Sequence, residues 1–79
     1  MRDQIAAIVS QTFGKELDGI MLTDDLDLLK EGIIDSLALT QLVARLEEAL
    51  PGLKVPDSDV TPENLGSIER IVAYLKASS

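Results

Sequence analysis

Three groups of oxygen-bearing side chains could do chemistry in this chain: Asp25 with Asp27, Asp57 with Asp59, and Asp35 beside Ser36. The two alternating aspartate pairs have the opening spacing of a calcium loop. Such a loop needs a glycine at its sixth position and a bidentate glutamate at its twelfth. Counting from Asp57, those places hold Pro62 and Ile68; counting from Asp25, they hold Lys30 and Ser36. Both pairs are therefore read as solvated acidic loops. Catalysis by carboxylates alone requires an acid buried in a cleft, and no acid falls on an apolar helix face here.

The composition narrows the field further. Among 79 residues there is no His and no Cys, with one Phe and one Tyr. A Ser-His triad, a thiol nucleophile, a Cys/His zinc site and a disulfide framework are all excluded. Fourteen acidic side chains against seven basic ones give a net charge of −7. That balance argues against nucleic acid, whose binding is driven by phosphate neutralisation. A hydrophobic fraction of 46% separates the chain from acidic disordered tails. Asp3, Gln4, Ser10 and Gln11 interrupt any secretory apolar region, and no apolar run approaches the roughly 20 residues of a bilayer span. One monomeric domain over residues 1–79, located in the cytoplasm, is expected.

Ser36 is the remaining candidate. With no histidine to activate it, it is not a catalytic nucleophile. Asp35 or Ser36 serves most simply as the cap of a following helix. A hydroxyl at a helix start has a second use, because oriented backbone N–H groups and the positive dipole end favour an attached phosphate there.

The elements that must position this pair are helical. Ile5, Ile8, Val9, Thr12 and Phe13 recur at helical spacing and predict a first helix from about Arg2 to Phe13, with Gly14 as its stop. Leu39, Leu42, Val43, Leu46 and Leu50 form the stripe of a second helix that follows Asp35 and ends at Pro51-Gly52. Thr61-Pro62-Glu63 announces a short third helix closed by Gly66. Ser67 caps a fourth, whose apolar face is Ile68, Ile71, Val72 and Leu75. The fold expected is all-α, a four-helix bundle with three main helices and one short one. Its long connection, residues 14–35, should be pinned to the core by Leu17, Ile20, Met21, Leu22, Leu26, Leu28, Leu29, Ile33 and Ile34. At roughly 100° per residue, Leu37, Gln41, Ala44 and Glu48 lie opposite the apolar stripe of helix two. Leu37 therefore points away from the core, next to Ser36.

These residues, in this order, resemble the acyl carrier protein family and its phosphopantetheine-attachment motif. The likeness runs from Asp27 through Gly32-Ile33-Ile34-Asp35-Ser36-Leu37 to Leu46-Glu47-Glu48, then through Val55-Pro56 and Val60–Leu65 to the last helix. It implies that Ser36 accepts 4′-phosphopantetheine from coenzyme A, delivered by a separate phosphopantetheinyl transferase, with Asp35 as the preceding motif acid. The arm's thiol would carry an acyl or aminoacyl group as a thioester, loaded by an activating ligase and passed to acyltransferases or synthases. The chain itself would catalyse nothing.

Leu37 and the exposed face of helix two would meet partners, through Ala38, Gln41, Ala44, Arg45 and Glu48. Carriers of fatty-acid synthesis commonly have acids early on that face, where this chain has Ala38 and Gln41. Peptidyl carriers typically have histidine before the serine, where this chain has Asp35. The stretch Val60–Leu65 is more similar to stand-alone carriers served by a dedicated ligase, such as the D-alanine carriers. The expectation is a specialised stand-alone carrier in a lipid or secondary-metabolite pathway. The competing class is an unmodified helical module that docks partners through helix two.

Overall fold

The computed structural model describes residues 1–78, which form four α-helices and one 3-10 turn. Helix α1 covers Arg2–Thr12, α2 Ser36–Ala49, α3 Pro62–Leu65 and α4 Ile68–Ser78, with the 3-10 turn at Asp57–Asp59. The first helix stops one residue short of the expected boundary: Phe13 is its C-cap, and its amide still reaches the Val9 carbonyl at 2.9 Å. Gly14 does not act through a left-handed conformation. Instead Leu17 donates back to Phe13 at 3.1 Å, and the chain winds away in a further turn.

Each helix buries the stripe its periodicity specifies. Ile5 and Val9 come from α1, Leu39, Leu42, Val43 and Leu46 from α2, Leu65 from α3, and Ile68, Ile71 and Leu75 from α4. Helix α1 packs against both α2 and α4, and α3 packs on α4. Fully burying one such aliphatic side chain contributes about 1.5–3 kcal/mol, so this cluster supplies what disulfides or a metal supply in other small domains. Thr61 caps α3 by accepting from the Asn64 amide at 3.3 Å, with Pro62 at the first helical position. Ser67 caps α4, its hydroxyl accepting from the Arg70 amide at 3.2 Å.

The long connection is only partly pinned. Leu17, Leu28, Ile33 and Ile34 are buried, and Leu22, Leu26 and Leu29 are half-buried. Ile20 and Met21 are exposed, at 39% and 81%, contrary to expectation. They lie between two anchors, the turn at the end of α1 and the Asp24 carbonyl, which accepts from the Glu69 amide at 2.9 Å. The chain crosses outside the bundle from α1 to α4 there, so their side chains face water. Arg2 ties the second anchor to α1 by bonding the Asp24 carboxylate. That bond, and a second to Asp3, raise the guanidinium above its ordinary range.

Candidate functional site

The approach to α2 is a hydrogen-bonded turn built on Asp27. Its Oδ1 accepts from the Leu29 and Lys30 amides at 3.2 and 3.0 Å, and its carbonyl accepts from Glu31 at 3.0 Å. Gly32 then adopts φ 75°, a left-handed conformation that strains residues with a side chain. Ile33 and Ile34 both donate to the Leu28 carbonyl, at 2.9 and 3.1 Å, which fixes their side chains in the core. Leu28 in turn donates to the Gly66 carbonyl at 2.8 Å. The two residues before the site are thus held to the bundle, while Asp35 and Ser36 emerge into solvent.

Asp35 caps α2. Its backbone is extended, its Oδ1 accepts from the Ala38 amide at 2.8 Å, and its carbonyl accepts from Leu39 at 3.0 Å. This resolves which of the two residues caps, and it makes Ser36 the first helical residue. The Ser36 hydroxyl is exposed and has no partner among the described residues; the Ser36 and Leu37 amides likewise meet no acceptor there. An uncommitted primary alcohol therefore stands beside open N–H donors at the positive end of a 14-residue helix. This arrangement suits a phosphate ester on the serine. It does not make the serine a nucleophile by itself, since the chain has no histidine and the neighbouring carboxylate is engaged as the cap.

The residues expected to form an outer face mostly do so. Leu37 is 71% exposed, and Gln41, Ala44, Arg45 and Glu48 are exposed along the same helix. Arg45 and Glu48 lie 3.7 Å apart and balance each other's charge, at an exposure where such a pair adds little stability. Ala38 differs. It is half-buried against the core, because its position on the helix wheel turns it towards α1. With Thr12, Phe13, Ile34 and Gln41 it lines an open groove of about 460 Å³ between the end of α1 and the start of α2.

Asp27 is also more than a solvated loop acid. It is half-buried and organises the turn that leads to the site. An aspartate two and three residues before the amides it accepts from is a known turn signal, and the sequence does carry it. Gly66 is legible as the close of α3, but no local signal marks its carbonyl as the acceptor for Leu28, 38 positions earlier. Asp59 is likewise half-buried, accepting from the Tyr74 hydroxyl at 2.6 Å.

Comparison with known proteins agrees with this geometry. Residues 3–75 match the family model described as the phosphopantetheine attachment site, so the chain belongs to that family, the acyl carrier proteins. It is a carrier and not an enzyme, and its domain type bears a covalently attached 4′-phosphopantetheine. Two relatives are each named D-alanyl carrier protein. The one from Enterococcus faecalis is 37% identical over 60 residues, covering 76% of this chain and 76% of the relative. The one from Abiotrophia defectiva is 30% identical over 78 residues, covering 96% of this chain and 92% of the relative. No solved structure matches significantly. Among the described residues, no helix is long and apolar enough to cross a membrane.

Proposed function

We propose that Ser36 is the attachment residue and that the loaded arm carries a small aminoacyl group, of the D-alanyl class, as its thioester. The observation that carries the assignment is the exposed Ser36 hydroxyl, left uncommitted at the first position of α2 because Asp35 does the capping. In the transfer, Ser36 Oγ forms a bond to the phosphorus of the 4′-phosphopantetheine. The diphosphate bond of coenzyme A breaks, and adenosine 3′,5′-bisphosphate leaves. The proton of the hydroxyl passes to a base of the phosphopantetheinyl transferase, because the carrier offers none.

The cargo assignment leans on the two relatives and on the core. Leu39, Leu42 and Leu46 on the inner face of α2 are at most 2% exposed, and a small polar acyl group needs no apolar cavity. An adenylate-forming ligase would load the arm, and an acyltransferase would unload it, within a lipid-modifying or secondary pathway rather than chain elongation of fatty acids. Both partners would meet the α2 face formed by Leu37, Gln41, Ala44, Arg45 and Glu48, with Ala38 at its α1 edge. The chain would act as a single monomeric cytoplasmic domain. Its contribution is tethering, which raises the cargo's effective concentration to about millimolar when the geometry fits.

Co-expression with a broad-specificity phosphopantetheinyl transferase, followed by intact-mass measurement, tests the site. Wild type should gain the mass of one arm and Ser36→Ala none. An arm retained in Ser36→Ala would move the attachment elsewhere. For the cargo, purified holo-protein should accept D-alanine from a D-alanine-activating ligase in preference to medium-chain fatty acids from an acyl-activating one; the reverse preference would overturn the aminoacyl assignment.

A further inference from the structure

Leu28 is the middle link of a chain of contacts that joins the α3–α4 junction to the start of α2. Its amide is held by the Gly66 carbonyl at 2.8 Å, and its carbonyl holds the Ile33 and Ile34 amides. Gly66 caps α3, with its own amide on the Pro62 carbonyl at 2.9 Å. Arg70 Nη1 donates to the same Pro62 carbonyl at 3.2 Å and lies 3.9 Å from Asp27 Oδ2. A Cβ at Gly66 would meet the Pro62 oxygen at 2.5 Å and Arg70 Nη1 at 3.1 Å. The junction therefore closes only around a glycine. The Arg70 and Asp27 side chains are 46% and 36% exposed, so solvent still screens their attraction. The contribution of Asp27 is instead the acceptor it offers to the Leu29 and Lys30 amides, which shapes the turn on either side of Leu28.

We propose that Gly66 and Asp27 are positioning residues for phosphopantetheine transfer, acting through Leu28 to set where the Ser36 hydroxyl stands. Neither touches the serine. The proposal rests on the reading of Ser36 as the attachment site. A nucleophile displaced by even an ångström can lose up to about a hundredfold in rate, so a turn that fixes the serine's backbone has measurable leverage over the transfer.

The test uses the full unmodified chain, coenzyme A and a phosphopantetheinyl transferase, with kcat and KM measured for wild type, Asp27→Ala, Asp27→Asn and Gly66→Ala. Amide hydrogen exchange is followed in parallel. Asp27→Ala and Gly66→Ala should lower kcat about tenfold with KM little changed, since the α2 face is untouched. Asp27→Asn keeps an acceptor for the two amides and should restore kcat to near the wild-type value. Exchange at Ile33, Ile34 and Ala38 should quicken, while Phe13 at the end of α1 stays protected. A merely structural role gives the opposite split: fewer folded molecules raise the apparent KM and leave kcat alone.

Unchanged kcat in Asp27→Ala, or unchanged protection of Ile33 and Ile34, would overturn the proposal. Asp27→Ala decides alone where Gly66→Ala does not fold. If Ser36→Ala is still modified, the attachment assignment fails instead, and the exchange data then decide whether Gly66 and Asp27 hold the turn.

Discussion

Two serines sit at helix starts in this molecule, and they are used in opposite ways. Ser67 precedes α4, is 3% exposed, and commits its hydroxyl to the Arg70 amide. Ser36 is one position further along, inside the first turn of α2, and Asp35 has taken over the capping. A single-residue shift in register therefore separates a hydroxyl that builds the helix from one that is available to another molecule. Position relative to the cap, more than residue type, decides which hydroxyl is left uncommitted.

The sharpest way to break this contrast is to remove each hydroxyl in turn. Ser36→Ala should abolish addition of the arm, and Ser67→Ala should leave it complete, as read by intact mass. Next in size are the leucines on the inner face of α2. Leu42→Ala or Leu46→Ala should cost about 2–5 kcal/mol in urea unfolding, as large-to-small changes at fully buried positions. That is a large share of what a domain of this size has.

Stability then separates the serines in the reverse sense. Ser67→Ala should lose about 0.5–2 kcal/mol with its cap, while Ser36→Ala should stay within about 0.5 kcal/mol of wild type. A loss at Ser36 equal to that at Ser67 would mean that both hydroxyls support their helices. The smallest stability effect is expected at Leu37. Leu37→Ala should unfold within about 0.5 kcal/mol of wild type, yet slow modification of Ser36. A stability loss of the size expected for Leu42 would place Leu37 in the core.

Where local rules govern, the sequence is a reliable guide to this fold. The apolar stripes of α1, α2 and α4, the Thr61-Pro62 start of α3, the Ser67 cap and the exposure of Leu37 all follow from spacing or cap chemistry within a few residues. The helix start at Asp35 and Ser36 was legible for the same reason, as a cap followed by an apolar stripe. What was not legible depends on partners far away in sequence. Ile20 and Met21 are as apolar as Leu28, but only Leu28 has an acceptor waiting on the α3–α4 junction. Gly14 sits where a helix stop is expected, yet the positive φ values fall at Gly19 and Gly32 within the long connection and at Gly52 just after α2. The 3-10 turn at Asp57–Asp59 is tied to α4 by the Tyr74 hydroxyl, which donates to Asp59, and no pattern inside that tripeptide announces that contact.

The acidity is distributed to match. Residues 24–36 hold five acids against one base, −4 of the total −7, whereas residues 37–50 carry −1. A basic partner would be steered to the turn before Ser36, and the nearly neutral face of α2 would then be sorted by shape.

The bond from Leu28 to Gly66 also orders events in time. It joins residues 38 positions apart, so loop closure over that span must come before its formation. As the chain is synthesised, α2 and Ser36 emerge well before the residues that fix the turn in front of them. The serine is covalently present early, but it is held in its final place only once α3 and α4 have docked. If Ser36 is the attachment residue, modification would then favour finished molecules over half-made ones.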